Sequence, residues 1–191
     1  MLTFTTVSTP EEVQQILALQ RQNLPGALSP EELAAQGFVT VKHDPAVLQR
    51  MNDAYPSVIA KSSDGRLAGY CLVMLRDFAP HVPELVAMFE TLETLHWQGR
   101  SLKNEVRWFV MGQVCVAKDF RGQGVFDGMY RHLQEVCRKD FEIVITEVSE
   151  RNTRSLRTHQ RVGFETIHTY REDKTGEDWQ GEDWQVVALP L

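Results

Sequence analysis

The feature that most constrains this chain is a run in which an apolar strand passes through a short loop with two glycines into an amphipathic helix. The strand is predicted over 106–116, the loop over 117–124, and the helix continues to about Lys139. The helix carries one apolar stripe at helical spacing, formed by Val125, Phe126, Met129, Tyr130, Leu133, Val136 and Cys137. Such a run aims the N-terminus of a helix, with its four unpaired backbone N–H groups, at solvent.

The two loop glycines, Gly122 and Gly124, have two interpretations. Glycine lets backbone N–H groups approach a ligand closely, and the helix dipole favours an anion at the helix start by up to about 1–2 kcal/mol, which together predict a phosphate site. The alternative is that the glycines only make a tight turn. Neither GxxxxGK[ST] nor an early GxGxxG occurs, so the two common nucleotide-binding loops are excluded.

A second informative block lies downstream. The apolar stretch 143–148 predicts a buried strand, and a helix is predicted from about Asn152 to Val162. Asn152, Ser155 and His159 are spaced by three and then four residues, so they lie on one face of that helix. Asn152 is also a preferred N-cap residue, which leaves a purely structural role open.

Together the two blocks resemble the acetyl-CoA motifs of the GNAT superfamily of N-acetyltransferases. There an apolar strand precedes R/Q-x-x-G-x-G/A; here the run is Arg121-Gly122-Gln123-Gly124-Val125-Phe126, with Phe126 in place of the small residue. The second block is similar to a strand followed by N-x-x-A/S, a helix and a closing Gly-Phe. The resemblance implies acetyl-CoA as cosubstrate. The binding residues that it implies are Val114, Cys115, Val116, Arg121, Gly122, Gln123, Gly124, Val125, Phe126, Asn152 and Ser155.

The resemblance also implies two catalytic residues. Glu147 stands five residues before Asn152, where some members carry the glutamate that takes the amine proton; the alternative is a half-exposed strand residue paired with Lys or Arg. His159 stands where many members carry the tyrosine that protonates the departing thiolate, and imidazole can donate a proton near neutral pH. Its alternative is a surface histidine. Glu105 and Gln113 are weaker candidates for the base.

The fold class that follows from the resemblance is α/β (α+β), with a central mixed, mostly antiparallel sheet flanked by helices in a single domain over 1–191. The motifs occupy 106–164 of it. Earlier elements predicted from the residues are a strand near Phe4, a helix capped by Ser8, a short helix opening at Ser29-Pro30, a helix from Asp44-Pro45 to Asn52, and hairpin strands over 57–61 and 67–75. The last strands are predicted near 164–170 and 185–189.

A long connection over 76–105 is predicted to form a helical insertion between the third and fourth strands. Its helix, from Pro83 to Leu95, follows from the apolar spacing of Leu85, Phe89, Leu92 and Leu95. Because connections of this length usually have a function, we expect the insertion to line or cover an acceptor pocket. The expected contacts are Phe78, His81, Phe89, Glu93, His96 and Trp97. The alternatives are that it covers one sheet face or forms a homodimer contact.

Composition limits the partners. A net charge of -6 argues against nucleic acid and anionic membranes, and no stretch is apolar for long enough to span a bilayer. No secretory signal is visible. The stretch 118–161 nevertheless holds nine Lys plus Arg against seven Asp plus Glu. The motif region is therefore net positive, which suits a multiply phosphorylated cosubstrate.

The remaining residue types narrow the prediction further. Cys71, Cys115 and Cys137 are odd in number and lie in apolar stretches, which is typical of reduced thiols in a cytoplasmic protein. No Cys/His pair has zinc-ligand spacing, so no metal is expected. The predicted activity is direct transfer of an acetyl group from acetyl-CoA to a primary amine of a small molecule or peptide. The alternatives are an inactive acyl-CoA sensor, an acyltransferase that uses a longer acyl-CoA or an oxygen acceptor, and a generic anion-binding domain.

Overall fold

The structure is a computed structural model and describes residues 1–29, 31–32, 38–172 and 181–191. Within these ranges the strands are β1 (Leu2–Thr6), β2 (Val58–Ser62), β3 (Leu67–Met74), β4 (His96–Trp97), β5 (Arg100–Ser101), β6 (Trp108–Val116), β7 (Ile143–Ser149), β8 (Glu165–Glu172) and β9 (Glu182–Pro190). The α-helices are α1 (Pro10–Gln22), α2 (Pro45–Ala54), α3 (Val86–Leu92), α4 (Val125–Cys137) and α5 (Thr153–Arg161). None of these described helices is both long and apolar enough to cross a bilayer.

One mixed sheet organises the fold. Its seven strands lie in the order β1-β2-β3-β6-β7-β9-β8. Among them β6 and β7 are the one parallel pair, and the other neighbours are antiparallel. A parallel pair needs a crossover connection, which α4 supplies. The predicted fold class, a mixed and mostly antiparallel sheet flanked by helices, is confirmed.

Helices cover both faces of the sheet. Helices α1 and α2 and the insertion pack on one face, which we call the α1 face, whereas α4 and α5 pack on the other, the α4 face. Successive side chains of a strand point to opposite faces. On β7, Ile143 and Ile145 therefore lie in the α1-face core and Val144 and Val148 in the α4-face core. The same alternation places Glu147 on the α1 face.

The N-terminal helix begins one residue later than predicted. Thr9, not Ser8, is the N-cap of α1: its hydroxyl accepts a hydrogen bond from the backbone N–H of Glu12, whose carboxylate accepts one from the N–H of Thr9. This reciprocal capping box satisfies two otherwise unpaired donors. Ser8 also donates to the Glu12 carboxylate, at 2.7 Å from its backbone nitrogen. Both hydroxyl residues thus serve the helix start, with Thr9 in the capping position.

The other early predictions hold where the structure describes them. Helix α2 starts after Asp44, whose carboxylate accepts from the N–H groups of Ala46 and Val47. The β2–β3 hairpin turns through Gly65 at a φ of +82°, a conformation that glycine adopts without strain. Ser29 and Glu32 exchange the hydrogen bonds of a helix start, but the helix predicted from there runs into residues outside the described ranges.

The insertion contains less helix than predicted. A 3-10 turn over Pro83–Leu85 precedes α3, which ends at Leu92, and the chain then forms the small β4–β5 hairpin. Two residues with positive φ, Gln98 (50°) and Gly99 (79°), make its turn. The sequence pattern missed this hairpin because Gln-Gly is a weaker turn signal than the Asn-Gly and Asp-Gly pairs that favour such turns.

The insertion is held against the sheet along its length. Leu92 and Leu102 are fully buried in the α1-face core, and the ring of Phe89 stacks on Trp108. Ion pairs fasten both sides, one from Arg76 to Glu93 and one from Arg100 to Glu142. This arrangement matches the alternative in which the insertion covers one sheet face. Of the expected acceptor contacts, Phe89 and Glu93 serve this packing.

Truncating the buried face of α3 should therefore unfold the protein more easily. Leu92→Ala is expected to lower the free energy of unfolding by roughly 2–5 kcal/mol, since it opens a cavity in a well-packed core. Glu90→Ala, on the exposed side of the same helix, is the control and should stay within about 0.5 kcal/mol of the parent. Urea denaturation measures both. An insertion that moves as a loose lid would give the same unfolding energy for the two variants.

Candidate active site

The site begins where the two parallel strands of the sheet separate. Their register runs from Trp108 opposite Ile143 to Val110 opposite Ile145 and ends there. Beyond it β6 stays paired with β3, and β7 stays paired with β9. The hydroxyl of Thr146 still donates to the backbone oxygen of Met111 at 3.1 Å, across the point of separation. A wedge-shaped gap therefore opens between the C-terminal halves of β6 and β7.

The backbone of β6 presents hydrogen-bonding groups to this gap. The N–H of Ala117, just after β6, donates to the backbone oxygen of Ala68 at the β3 side. Because the polar groups of successive strand residues point to alternate sides, the N–H groups of Val114 and Val116 point away from β3. Over that stretch β7 provides no ladder partner. These groups are available to a ligand that enters the wedge.

A cavity of about 490 Å³ lies at the end of β6. Three parts of the motif region form its walls: the end of β6, the glycine loop with the start of α4, and one side of α5 with its N-cap. A fourth wall comes from the N-terminal part of the chain. The lining residues are Asn23, Phe38, Val39, Val114, Cys115, Val116, Phe120, Arg121, Gly122, Gly124, Val125, Phe126, Asp127, Asn152, Arg154, Ser155, Thr158 and Arg161.

The glycine loop directs backbone donors into the cavity. Gly122 and Gly124 both have a φ of +74°, a conformation that L-residues with a side chain adopt only with strain. Open space surrounds both Cα atoms. Gly124 is the N-cap of α4 and, having no side chain, makes no capping hydrogen bond. The N–H groups of the first turn of α4 are thus left for a ligand, and the helix dipole favours an anion there.

The side chains of two other loop residues are bonded to the protein itself. The Gln123 side chain donates to the backbone oxygen of Asp119 at 2.8 Å and does not line the cavity. The Arg121 guanidinium lies in the cavity wall and donates to two protein acceptors. These are the side-chain oxygen of Asn23, at 2.8 Å, and the backbone oxygen of Val116, at 3.3 Å.

One side of α5, from its N-cap to its last residue, forms the facing wall. The Asn152 side chain accepts from the backbone N–H of Ser155 at 3.3 Å, so Asn152 is the N-cap and at the same time lines the cavity with Ser155. Arg154 and Arg161 bring positive charge to the same wall. Arg161 also pairs with Asp127 of α4 at 2.9 Å, which joins the two helices across the cavity. With Arg121, the wall holds three cationic side chains and one anionic side chain.

His159 is a buried residue and does not line the cavity. Its Nδ1 lies 2.8 Å from the backbone oxygen of Ser155, which requires the ring proton there, and its Nε2 then accepts from the Tyr130 hydroxyl at 3.0 Å. Burial lowers the pKa of His159 to about 4, although the hydrogen bond to Ser155 acts to raise this pKa. A neutral ring fixed in this way keeps its Nδ1 proton in a hydrogen bond to a backbone carbonyl. Neither the predicted acid role nor the surface alternative fits this placement.

Phe126, the residue that departs from the motif, separates His159 from the cavity. Phe126 lines the cavity, and its ring packs edge-on against His159, with centroids 5.2 Å apart. It also packs at a tilt against Tyr130, with centroids 4.8 Å apart. Both Tyr130 and His159 are fully enclosed behind it. The aromatic ring thus occupies the first turn of α4 while its backbone N–H still belongs to the donor array at the helix start.

Glu147 lies two residues beyond the last β6–β7 register pair, at the mouth of the wedge. Its carboxylate accepts from the Tyr170 hydroxyl at 2.9 Å. Burial raises the pKa of Glu147 to about 7, opposed by the Tyr170 hydrogen bond and assisted by the nearby charge of Glu172. The predicted alternative, a pair with Lys or Arg, is absent among the ion pairs of the described residues. A carboxylate with this pKa can gain and lose a proton at neutral pH.

The two weaker candidates for a base lie elsewhere. Glu105 is exposed at the end of the insertion, where it accepts from the backbone N–H of Ser101. Gln113 is buried on the α1 face and bonds Gln20, Tyr70 and the backbone oxygen of Val41. Glu147 is therefore the candidate that stands at the wedge.

No local pattern in the sequence points to the wall formed by Asn23, Phe38 and Val39, or to Tyr170 as the partner of Glu147. Asn23 and Arg121 are 98 positions apart, and a contact at that separation has no local pattern. Tyr170 is adjacent to Glu147 in space because β9 lies between β7 and β8 and brings the three strands into one register.

The buried state of His159 makes a prediction about acid stability. Its folded pKa of about 4 lies below the unfolded value near 6.5, so the stability that the neutral ring contributes is complete above about pH 6.5 and is lost as the pH falls towards 4. His159→Asn should be less stable than the parent at pH 7, and this difference should shrink by on the order of 2–3 kcal/mol by pH 4. Urea denaturation at several pH values measures it.

Gln160→Asn, at the exposed neighbouring position, is the control and should keep a constant difference from the parent over the same pH range. A constant difference for His159→Asn as well would mean that His159 titrates alike in the folded and unfolded chain, contrary to its burial.

Comparisons with known proteins identify the family of this chain. The model of the acetyltransferase (GNAT) family matches residues 28–164, well over half of the chain. No curated protein sequence matches it. Within the described residues, no three His, Cys, Asp or Glu side chains are grouped so that they could hold a metal ion.

Solved structures share the fold at low sequence identity. The ribosomal-protein-S18-alanine N-acetyltransferase of Escherichia coli is 14% identical with a TM-score of 0.62, over 100% of this chain and 94% of that one. The ribosomal-protein-alanine N-acetyltransferase of Brucella melitensis is 16% identical with a TM-score of 0.62, over 99% of both chains. A phosphinothricin acetyltransferase from Sinorhizobium meliloti in complex with acetyl-CoA is 15% identical with a TM-score of 0.63, over 100% of this chain and 88% of that one. On the family match and this shared fold, the chain belongs to the GNAT acetyltransferase family.

Proposed function

We propose that this protein transfers an acetyl group from acetyl-CoA to a primary amine of a small molecule or peptide, by direct attack within a ternary complex. The observation that carries the proposal is that two features lie at the separated ends of β6 and β7. A cavity suited to an anion lies between the end of β6 and the start of α4, and Glu147, a carboxylate of raised pKa, stands on β7 two residues beyond the last β6–β7 pair. One substrate that carries phosphates at one end and a reactive group at the other fits both.

The phosphates of CoA would bind at the start of α4. Gly122 and Gly124 leave the loop backbone open to a ligand, and the N–H groups of the first helical turn point at it. Arg154 and Arg161 in the facing wall supply positive charge. A cavity of about 490 Å³ falls within the range of small-molecule sites.

The pantetheine arm of CoA would follow β6 into the wedge. The N–H groups of Val114 and Val116 point to the gap and would hydrogen-bond the arm, and Asn152 and Ser155 line the facing wall. One β6 N–H group would also stabilise the negative charge that develops on the thioester oxygen, an interaction worth roughly 3–4 kcal/mol where water is excluded.

Glu147 would act as the general base. An alkyl ammonium has a pKa near 10 and must lose a proton before its nitrogen can attack the thioester carbon. The Glu147 carboxylate, directly or through water, takes that proton. Attack then forms the C–N bond and breaks the C–S bond, CoA leaves as a thiolate, and the second proton that the nitrogen must lose passes to water. With a thiol pKa near 8.5, this leaving group needs little assistance and can be protonated by water. The proposal assigns no step to His159, since its proton is committed to a backbone carbonyl.

The proposal extends to the class of acceptor and to the cellular location. The matched structures include enzymes named for protein alanine residues and for phosphinothricin, so both peptide and small-molecule acceptors belong in a screen. The net charge of -6 disfavours nucleic acid as a partner. Three buried free thiols, Cys71, Cys115 and Cys137, are typical of a reducing compartment and support a cytoplasmic location.

The direct test is release of free thiol. Acetyl-CoA is incubated with the protein and a panel of amines, amino acids, antibiotics and peptides with free N-termini, and the thiol is measured with a colorimetric reagent. Acetyl-CoA with at least one amine should give amine-dependent thiol release. Binding of acetyl-CoA with no thiol release from any amine would favour the sensor alternative, and activity confined to longer acyl-CoAs or to alcohols would favour the other acyltransferases.

Removing the proposed base should change the pH dependence of the reaction. The parent should lose kcat/KM as the pH falls below about 7, because Glu147 becomes protonated there. Glu147→Gln should lower kcat by roughly 10²–10⁴-fold and remove that inflection. Steady-state rates from pH 5.5 to 9 measure both. Glu150→Gln, at an exposed position just after β7, is the matched control and should keep the parent profile.

Filling the loop should block CoA binding. Gly124→Trp places a side chain where the structure leaves open space at the start of α4, and should abolish CoA binding measured by calorimetry. Gly65→Trp is matched for backbone strain, since Gly65 also has a positive φ and open surroundings, but it lies in the β2–β3 turn. That variant should bind CoA as the parent does. Equal loss in the two variants would point to strain alone.

A further inference from the structure

The C-terminal end of α1, with its C-cap Asn23, makes hydrogen bonds to three segments around the cavity. The backbone oxygen of Asn23 accepts from the N–H of Val39, and its side-chain oxygen accepts from Arg121 of the glycine loop. One turn earlier, Gln20 donates to Gln113 of β6 at 2.7 Å. The motif region therefore does not hold its own loop alone, since a helix about a hundred residues earlier reaches into it.

Asn23 is fully committed to this junction. It is 5% exposed, and its amide nitrogen donates to the backbone oxygen of Leu19 at 2.9 Å. Its backbone N–H donates to the oxygen of Gln20 at 3.0 Å. With the side-chain oxygen on Arg121 and the backbone oxygen on Val39, each polar group of the residue has a partner. The orientation of the side chain is thereby set from within α1.

Gln20 fixes the same end of α1 through buried hydrogen bonds. The residue is fully buried; its amide nitrogen bonds Gln113 and the Nδ1 atom of His43, and its amide oxygen accepts from the backbone N–H of His43. The Tyr70 hydroxyl donates to the same Gln113 oxygen at 2.6 Å. Buried hydrogen bonds of this kind rigidify the segments that they join, and each side-chain polar atom of Gln20 has a partner here. The end of α1 is thus a fixed support for the loop that Asn23 contacts.

Arg121 receives its geometry from this support. Its Nη2 donates to Asn23 and its Nε to the backbone oxygen of Val116, so the guanidinium bridges α1 and the end of β6. A guanidinium presents its donors in a planar fork, which lysine cannot reproduce. The residue that follows, Gly122, and Gly124 are the flexible positions whose backbone must be held before their N–H groups can form an array.

We infer that Asn23 is a positioning residue for acetyl-CoA binding. It fixes Arg121, and Arg121 in turn clamps the glycine loop and is not a ligand of the phosphates. This inference rests on the proposed function. The clamp orders the loop before binding, so the cosubstrate does not have to order it. An uncharged amide suits the position, because it holds the guanidinium without placing a negative charge beside the proposed anion site.

The first experiment compares Asn23→Ala with a matched asparagine. Asn52, on α2, is also 5% exposed, donates from its amide nitrogen to the backbone oxygen four residues earlier, and accepts on its side-chain oxygen from another segment, at Ser57. It does not line the cavity. Both alanine variants should lower the melting temperature. Asn23→Ala alone should raise the KM for acetyl-CoA by about tenfold or more, with kcat within about threefold of the parent.

The second experiment separates a clamp from a phosphate ligand. Arg121→Lys keeps the positive charge but loses the fork, so it should raise the KM for acetyl-CoA nearly as much as Arg121→Ala. Adding Asn23→Ala to Arg121→Ala should change the KM by less than about twofold, because the two residues act as one unit. Arg121→Lys also serves if Asn23→Ala fails to fold, since Arg121 is only half-buried.

The outcomes are distinct. An unchanged KM in Asn23→Ala, a parent-like KM in Arg121→Lys, or a double variant whose effect is the product of the two single effects would each overturn the clamp. A parent protein that neither binds CoA nor releases thiol would instead refute the proposed function. Calorimetric titration with CoA alone provides a readout of the clamp that does not need an acceptor.

Discussion

The structure depends on one interruption of backbone hydrogen bonding, the separation of β6 from β7 after the pair Val110–Ile145. Each strand keeps its outer neighbour, so the interruption leaves no unsupported strand: β3 holds β6, and β9 holds β7. What it leaves instead is a row of backbone donors on one side of a gap and a carboxylate on the other. A sheet can place polar groups in its interior in this way because a gap between strands is reached by a ligand, whereas a paired ladder is not.

The two titratable side chains near the gap show how burial decides function. Glu147 lies at the wedge and His159 lies behind the cavity wall. Burial disfavours the charged form of each side chain. For the carboxyl this raises the pKa to about 7, where a group can exchange protons at neutral pH. For the imidazole it lowers the pKa to about 4 and leaves a neutral ring that links Ser155 to Tyr130. The same physical cause gives a candidate base in one place and a structural residue in the other.

Much of the fold and half of the site could be predicted from the sequence because their signals are local. The strand, glycine loop and helix that carry Gly122 and Gly124, and the cap at Asn152, are set by periodicity, by conformational preference and by helix-end chemistry within a few residues. The burial of His159 could not be predicted, because a position on a helix face does not say what packs against it; Phe126, Tyr130 and Phe164 enclose the ring. The insertion was predicted too helical because its weak Gln-Gly turn was not recognised.

The sequence by itself determined the chain order of the main-sheet strands, the family resemblance and the place of the proposed anion site, since each follows from residue types at short spacing. Only the tertiary structure decided which side chains act together. Tyr170 reaches Glu147 through the strand order, and Asn23 reaches Arg121 because α1 packs on the sheet beside the end of β6. The reason is that burial and hydrogen bonding depend on neighbours in space, and contacts between residues a hundred positions apart leave no mark in either one's local pattern.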